Sequence, residues 1–227
     1  MSKSDVDSSD VDSSDVDSSG VDSSGVDSPG VDSPVALNLN GLILTGGRST
    51  RMGEDKSMLN YHGKSQREHL TELLKPYCQT VFWSVNADQA GDLAGANQPI
   101  IVDVYDLVSP LNGILSAFQT DPSAAWLVVA CDMPLLTASS IDALLANRAP
   151  DKMATVFYDS DGQLPEPLLG IYESAFGPIF QRAFAQGAVS PRQLLRQNDV
   201  QIISVPDRRE LVNINDPEAR AALKQRS

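Results

Sequence analysis

The sequence predicts an α/β fold, a mostly parallel, doubly wound sheet with helices on both faces, preceded by a tail that joins neither layer. Three observations predict it. Short apolar runs alternate with helical stripes from residue 38 to about 150, and a crossover between parallel strands needs a helix to carry the chain back. The runs stop abruptly at Gly46-Gly47, Asn86, Asp103 and Asp132, as expected where ligands lie outside the carboxyl ends of the strands. Residues 1–37 follow neither the helical nor the strand period.

That tail is a five-residue repeat, Val-Asp-Ser-Ser followed by Asp or Gly, with valines at 6, 11, 16, 21, 26 and 31. One small apolar residue per repeat cannot offset the ~1–2 kcal/mol per residue that ordering a backbone costs, so residues 1–37 are expected to be a disordered acidic tail. It holds nine aspartates and Lys3, a net of −8, which leaves −5 of the whole chain's −13 for the body. A mildly acidic body argues against duplex nucleic acid as a partner and suits a small anionic ligand held by local cations. No apolar run reaches the ~20 residues that span a bilayer, and the acidic N-terminus lacks the apolar core of a secretory signal. Cys78 and Cys131 lack metal-site spacing and read as reduced, partly buried thiols of a cytoplasmic protein.

In chain order, Leu42-Ile43-Leu44 is the first strand, uncharged and suited to burial on both faces. Leu70, Leu73, Leu74 and Tyr77 form a helical stripe within Lys64 to Leu74, closed by Pro76. Val81 to Val85 is the second strand and Pro99 to Val102 the third. Ile114, Leu115 and Phe118 mark a short helix introduced by Ser109-Pro110-Leu111-Asn112-Gly113, and Trp126 to Ala130 is the fourth and most hydrophobic strand. The next helix carries Ile141, Leu144 and Leu145, with Ser139 or Ser140 available as its cap. Met153 to Tyr158 and Pro167 to Tyr172 read as a hairpin-like pair around Asp159-Ser160-Asp161-Gly162. Phe176, Ile179, Phe180, Ala183 and Phe184 form the clearest helical stripe, Ser190-Pro191-Arg192 starts a helix with Leu194 and Leu195, Val200 to Val205 is a last strand, and Asp216-Pro217 leads into a terminal helix. The reading is one domain, 38–227, with a nucleotide half, 38–150, and an acceptor half, 151–227.

The loop after the first strand is built for an anion. Gly46, Gly47 and Gly53 allow backbone N–H groups to converge on phosphate oxygens, while Arg48, Arg51 and Lys56 supply positive charge. It is no Walker A loop, because Glu54-Asp55 separates Gly53 from Lys56-Ser57, and its glycines do not fit Gly-x-Gly-x-x-Gly. The competing reading is a glycine-rich connection with ordinary surface cations. Asp132, a carboxylate at the end of a buried strand before Pro134, suits a Mg²⁺ ion that also takes phosphate oxygens and waters. Asp103 is placed to assist it or to contact the nucleotide, with Asp106 as rival; a cap or turn role is the alternative for Asp103 and for Asp132. Arg192, after Ser-Pro, could grip an acceptor phosphate in bidentate fashion or stand as a solvated helix-start arginine.

The run Leu44 to Lys56, Leu-Thr-Gly-Gly-Arg-Ser-Thr-Arg-Met-Gly-Glu-Asp-Lys, resembles the Leu-x-Gly-Gly-x-Ser-x-Arg-Met-Gly-x-Asp-Lys signature of the molybdenum cofactor guanylyltransferases. Ser109 to Gly113 is similar to that family's Gly-Pro-Leu-x-Gly turn, with Ser109 a departure from the expected glycine that puts a side chain where the loop approaches ligand. Cys131-Asp132-Met133-Pro134 is similar to the family's metal-binding Cys-Asp-x-Pro, and residues 212–218 to its closing Asn-x-Asn-x-Pro-Glu. The likeness covers about residues 40 to 222. It implies a three-layer Rossmann-like fold of the nucleotide-diphospho-sugar transferase kind and a cytoplasmic, Mg²⁺-dependent enzyme that transfers GMP from GTP to the terminal phosphate of Mo-molybdopterin. It implies catalytic roles for Arg51, Lys56 and Asp132, with Asp132 on the metal. It further implies nucleotide contacts from Leu44, Thr45, Gly46, Gly47, Lys56, Asn86, Asp103 and Asp132, and acceptor contacts from Asn213 and Asn215. The paired glycines lean towards guanine. Cytidylyltransfer, transfer to a sugar phosphate and a non-catalytic nucleotide-binding adaptor remain the alternatives. The pathway implies transient contact with the preceding cofactor synthase and with client molybdoenzymes. The nucleophile is already an anion, so no general base is needed, and His62 and His69 are expected in surface or capping roles.

Overall fold

The computed structural model describes residues 38–45, 56–60, 63–93, 95 and 97–212. The tail 1–37 and the segment expected to form a terminal helix after Pro217 lie outside the described residues. In order, the elements are β1 (Leu39–Leu44), α1 (Gln66–Leu74), β2 (Val81–Val85), α2 (Ala87–Asp92), β3 (Ile100–Val102), α3 (Pro110–Thr120), β4 (Ala125–Ala130), α4 (Ala138–Ala146), β5 (Ala154–Tyr158), β6 (Pro165–Tyr172), α5 (Gly177–Ala185), α6 (Pro191–Gln197) and β7 (Gln201–Ile203). The seven strands form one sheet in the order β3-β2-β1-β4-β6-β5-β7. Only β6 runs against its neighbours: it is antiparallel to β4 and β5, while the remaining pairings are parallel. The expected hairpin of β5 and β6 is therefore present, and it inserts its second strand next to β4.

The two-residue alternation of the strands divides the core into two layers. Ile43, Leu127 and Val129 face Leu70 and Leu74 of α1 and Ile141 and Leu144 of α4. Leu42, Trp126 and Val128 face Ile114 and Phe118 of α3, Phe180 of α5 and Leu194 of α6. β1 and β4 are buried along their whole length, as their uncharged sequences require, and each fully buried large apolar side chain stabilises the fold by about 1.5–3 kcal/mol.

Helix starts follow from local chemistry. Ser65 and Glu68 form a capping box on α1. Ser109 caps α3, with Pro110 at its first position, and Ser190 caps α6, with Pro191 at its first position. The cap of α4 is Thr137, whose hydroxyl accepts from Ser139 N at 3.3 Å; this corrects the expectation of Ser139 or Ser140, which lie inside the helix. α2 was not anticipated. It buries none of its residues and so carries no apolar stripe, and what starts it is a capping box between Asn86 and Gln89. Ser109 to Gly113 is not a free turn either, since Pro110 already opens α3. Cys78 and Cys131 are half-buried and form no disulfide, and burial pushes the Cys78 thiol up to about 12. Among the described residues no helix is long and apolar enough to cross a membrane.

Candidate active site

Parallel pairing of β3, β2, β1 and β4 brings their carboxyl ends to one edge of the sheet. At β1, Thr45 is buried, and both its N–H and its hydroxyl donate to Ser84 O of the neighbouring β2, at 3.1 and 2.6 Å. Ser84 in turn donates its hydroxyl to Asp103 Oδ1 at 2.8 Å. Burial raises the Asp103 carboxyl above its ordinary range, and the Ser84 bond works in the opposite direction. A cleft of about 460 Å³ opens here, with Leu44, Asn86, Asp103, Asp106, Ser109 and Gly113 among its walls.

Several of the walls are held by nameable contacts. Asn86 accepts from Gln89 N at 2.9 Å, so its side chain caps α2 while lining the cleft. Ser109 accepts from Leu111 N at 3.2 Å and donates to Val189 O at 2.7 Å, tying the start of α3 to the connection between α5 and α6. The side chain that replaces the family's glycine is thus a helix cap. Asn112, buried inside the first turn of α3, donates to Tyr105 O and Leu107 O at 2.6 and 3.1 Å and accepts from Tyr105 N at 3.2 Å. It fixes the loop that carries Asp106. Gly113 packs so closely that a Cβ there would lie 2.3 Å from Ser84 Oγ and 2.7 Å from Leu44 Cδ2.

Asp132 stands just past β4, half-buried, beside the end of β1, where Cys131 N donates to Leu44 O at 3.3 Å. The turn after it is clamped from two sides. Gln66 Nε2 donates to Met133 O at 3.3 Å, and the buried Glu210 accepts from Thr137 N and from its hydroxyl, both at 2.9 Å. The antiparallel register of β6 with β4 runs from Trp126↔Tyr172 to Val129↔Leu169, and beyond it, at the start of β6, Glu166 feels the charge of Asp132. Glu166 is only 6 % exposed. Burial raises its pKa, helped by the charges of Asp132 and Asp159, while the Leu168 N–H and the Arg192 charge act the other way. Arg192, from α6, approaches Glu166 Oε2 with Nη2 at 3.4 Å and Asp159 Oδ2 with Nη1 at 3.5 Å.

The structure thus places Leu44, Asn86 and Asp103 around one cleft, with Thr45 bonded to Ser84 of its wall, and gives Arg192 two carboxylate partners, where a solvated arginine was one of the expectations. Lys56 opens a short 3₁₀ turn, Lys56–Met58, and its side chain lies outside the described residues, as do Gly46, Gly47, Arg51, Asn213 and Asn215. Sequence reasoning missed Glu166 and Glu210. The signal for Glu166 was a lone carboxylate between Pro165 and Pro167 in an otherwise apolar strand; Glu210 carried none.

A bridge of carboxylates and one arginine beside a cleft at the ends of parallel strands suits phosphate chemistry, and residues 41–202 match the MobA-like NTP transferase domain. The chain belongs to the MobA-like NTP transferase family. A molybdenum cofactor biosynthesis bifunctional protein of Synechocystis sp. is 36 % identical over 180 residues, covering 79 % of this chain and 52 % of that one, so the chain spans about half the length of that relative. A molybdenum cofactor guanylyltransferase of Pseudomonas paraeruginosa is 32 % identical over 185 residues, covering 79 % of this chain and 91 % of the other. Among solved structures, the molybdopterin-guanine dinucleotide biosynthesis protein A of Archaeoglobus fulgidus shares the fold with a TM-score of 0.69 at 23 % identity, over 82 % of this chain and 97 % of that one.

As a MobA-like transferase, the chain needs charge neutralisation for a triphosphate. Among the described residues no cluster of three or more His, Cys, Asp or Glu side chains could hold a metal by itself.

Proposed function

We propose that the chain is a Mg²⁺-dependent guanylyltransferase that joins GMP from GTP to molybdopterin. An oxygen of the acceptor's terminal phosphate attacks the α-phosphorus of GTP, the bond between the α-phosphorus and the bridging oxygen breaks, and pyrophosphate leaves with that electron pair. The observation that carries the reading is the single sheet edge shared by the Asp103 cleft, Asp132 and the Glu166–Arg192 pair, one side for a nucleotide and the other for a phosphate-bearing acceptor. Relatives named as molybdenum cofactor guanylyltransferases support the choice of reaction.

In this reading Asp132 and the triphosphate oxygens would hold Mg²⁺, which when bound neutralises charge developing between the α-phosphate and the leaving group. Lys56 and Arg51 brace the triphosphate, the amides around Gly46 and Gly47 hold its oxygens, and Thr45 and Leu44 seat that loop against β2. Asp103 and Asn86 meet the nucleoside, while Arg192, Asn213 and Asn215 receive the acceptor. Catalysis then comes from alignment and charge, with no proton to remove from the nucleophile. The precursor comes from a synthase and the product goes to molybdoenzymes, so brief contacts with both belong to the same proposal.

The test is a screen of the four nucleoside triphosphates with Mg²⁺ and molybdopterin for the conjugated product. GTP is expected to be preferred, and a clear preference for CTP would move the chain to cytidylyltransfer. Asp132→Ala is expected to lower pyrophosphate release about 10³-fold, the scale of several kcal/mol of lost charge stabilisation, with the thermal melt retained. A variant with wild-type turnover would remove Asp132 from the reaction.

A further inference from the structure

We infer that Glu166 is a positioning residue for the phosphomonoester end of the acceptor: it holds the Arg192 guanidinium at the start of β6, on the sheet edge that carries Asp132. The inference rests on the guanylyl-transfer reading above and deepens its acceptor side. Glu166 begins the one strand that runs against the rest of the sheet, and only because of that reversal does a strand's amino end meet the edge where Asp132 stands.

The contacts around Glu166 divide its two oxygens between structure and Arg192. Oε1 accepts from Leu168 N at 2.9 Å, which fixes the carboxylate within its own strand. Oε2 faces Arg192 Nη2 at 3.4 Å. On its other side Arg192 reaches Asp159 at 3.5 Å, a residue occupied with Gln163 N at 3.0 Å and Leu164 N at 3.3 Å in the β5–β6 turn. Both contacts are long beside the ~2.7–2.9 Å of a saturated charge-assisted bond. A guanidinium has five N–H donors, so Arg192 keeps donors to offer, and its side chain is 37 % exposed. It borders a surface hollow of about 440 Å³ shared with Ser190, Gln193, Arg196 and Gln197, where a second cation, Arg196, stands one helical turn on.

An anion arriving there meets a cation already aimed. Glu166 is too buried to follow Arg192 outwards, and it cannot lose the guanidinium without standing as an uncompensated buried charge. It therefore keeps Arg192 near the β4 end while leaving its free donors to the ligand. Without that charge, the remaining partner is Asp159 at the hairpin turn, and the guanidinium is drawn from the start of β6 towards that turn.

The test compares Glu166→Gln, Arg192→Ala and the double variant in steady-state turnover, with GTP and molybdopterin varied separately. Glutamine keeps the shape and the acceptor for Leu168 N but removes the charge. Glu166→Gln is expected to raise KM for molybdopterin about tenfold, with kcat and the GTP KM changed less than about twofold. The double variant should be no worse than Arg192→Ala, because coupled residues are not additive. Additive losses, or a loss that falls equally on GTP and on kcat, would overturn the inference. So would a wild-type KM for molybdopterin in Glu166→Gln. Should that variant fail to fold, Glu166→Asp, which keeps the charge and withdraws it by one methylene, must raise the same KM or the inference fails. A wild-type chain that makes no conjugate from any triphosphate removes the guanylyl-transfer reading and this inference together; a wild type that turns over beside an unaffected Glu166→Gln removes this inference alone.

Discussion

Two buried glutamates bracket β6, and both face arginines, yet the two pairs are built differently. Glu173, just past the strand's end, takes Arg148 in a two-pronged pair, Nε to Oε1 at 2.7 Å and Nη2 to Oε2 at 2.8 Å, with both side chains under a tenth exposed. Glu166, at the strand's start, meets Arg192 through one loose contact at 3.4 Å, and that arginine is more than a third exposed. The chemistry of the partners is the same; what differs is how many donors are left over. A guanidinium whose fork is filled by one carboxylate in a dry site serves the fold, whereas one shared loosely between two carboxylates beside a hollow can take a third anion. The contrast also follows the sheet. Glu166 lies on the edge with the parallel strands' carboxyl ends, and Glu173 on the opposite edge.

The largest effect should come from breaking the closed pair. Arg148→Ala leaves Glu173 charged and buried, which costs about 3–5 kcal/mol and lowers the melting temperature by roughly 10 °C in a chain of this size. Turnover measured well below the melt should stay within about twofold. Arg192→Ala, at the open pair, should cost less than Arg148→Ala, because the contact it removes is long and its arginine is more than a third exposed, although Glu166 is left buried; its larger effect should fall on acceptor KM. Equal destabilisation by the two substitutions, read from urea or thermal unfolding, would end the distinction between a closed and an open pair.

The next effect separates the strand between the glutamates from the nucleotide cleft. At Gly170 a new Cβ would lie 2.5 Å from Val156 Cγ1 and 2.9 Å from Thr155 O, and the second contact is backbone that cannot swing aside. At Gly113 the Cβ meets the ends of Ser84 and Leu44. Both Gly→Ala changes overpack, at about 1–3 kcal/mol each. Gly170→Ala should lower stability while leaving the GTP KM alone. Gly113→Ala should also raise the GTP KM severalfold, because displacing Ser84 releases Asp103. If Gly170→Ala moved the GTP KM as far as Gly113→Ala does, the two regions would not be separable.

How much of this could be read beforehand depended on which interactions are local. β1, β2 and β4 were legible because strands buried on both faces must be continuous apolar runs, and α1, α3 and α5 because their stripes have the helical period. The placement of Asn86, Asp103 and Asp132 at one edge followed from parallel crossovers alone. α2 stayed hidden because a helix that buries nothing has no stripe. Thr137 was passed over as the cap of α4 because serines stood nearer the apolar stripe, and what anchors it is Glu210, 73 residues further along the chain. Glu166 was missed for a related reason. The rule that sends attention to strand ends presumes parallel strands, and β6 reaches the site with its beginning; only the inter-strand register, a long-range property, reveals that.

The smallest effect concerns Asp103, and it turns on pH. Burial raises its folded-state pKa above the ordinary 3.8, so the folded chain holds this proton more tightly than the unfolded chain does. Below the unfolded value both states carry the proton and the carboxyl costs nothing. As pH rises through the window between the unfolded and folded values, the unfolded chain ionises first, and wild-type stability falls until the folded group has ionised too. Asparagine has no proton to lose and can still accept from Ser84. Asp103→Asn should therefore match wild type in the most acidic buffers that keep both folded, then gain on it with rising pH and hold a constant lead at neutrality. Melting temperatures of both proteins from about pH 3.5 to 7 check this, and Glu166, which is also raised, cancels in the difference. A lead that does not vary with pH would mean that burial is not what acts on Asp103. If the same substitution also weakens GTP, the cleft keeps a carboxylate that the fold would be steadier without, as expected where a group is retained for its ligand.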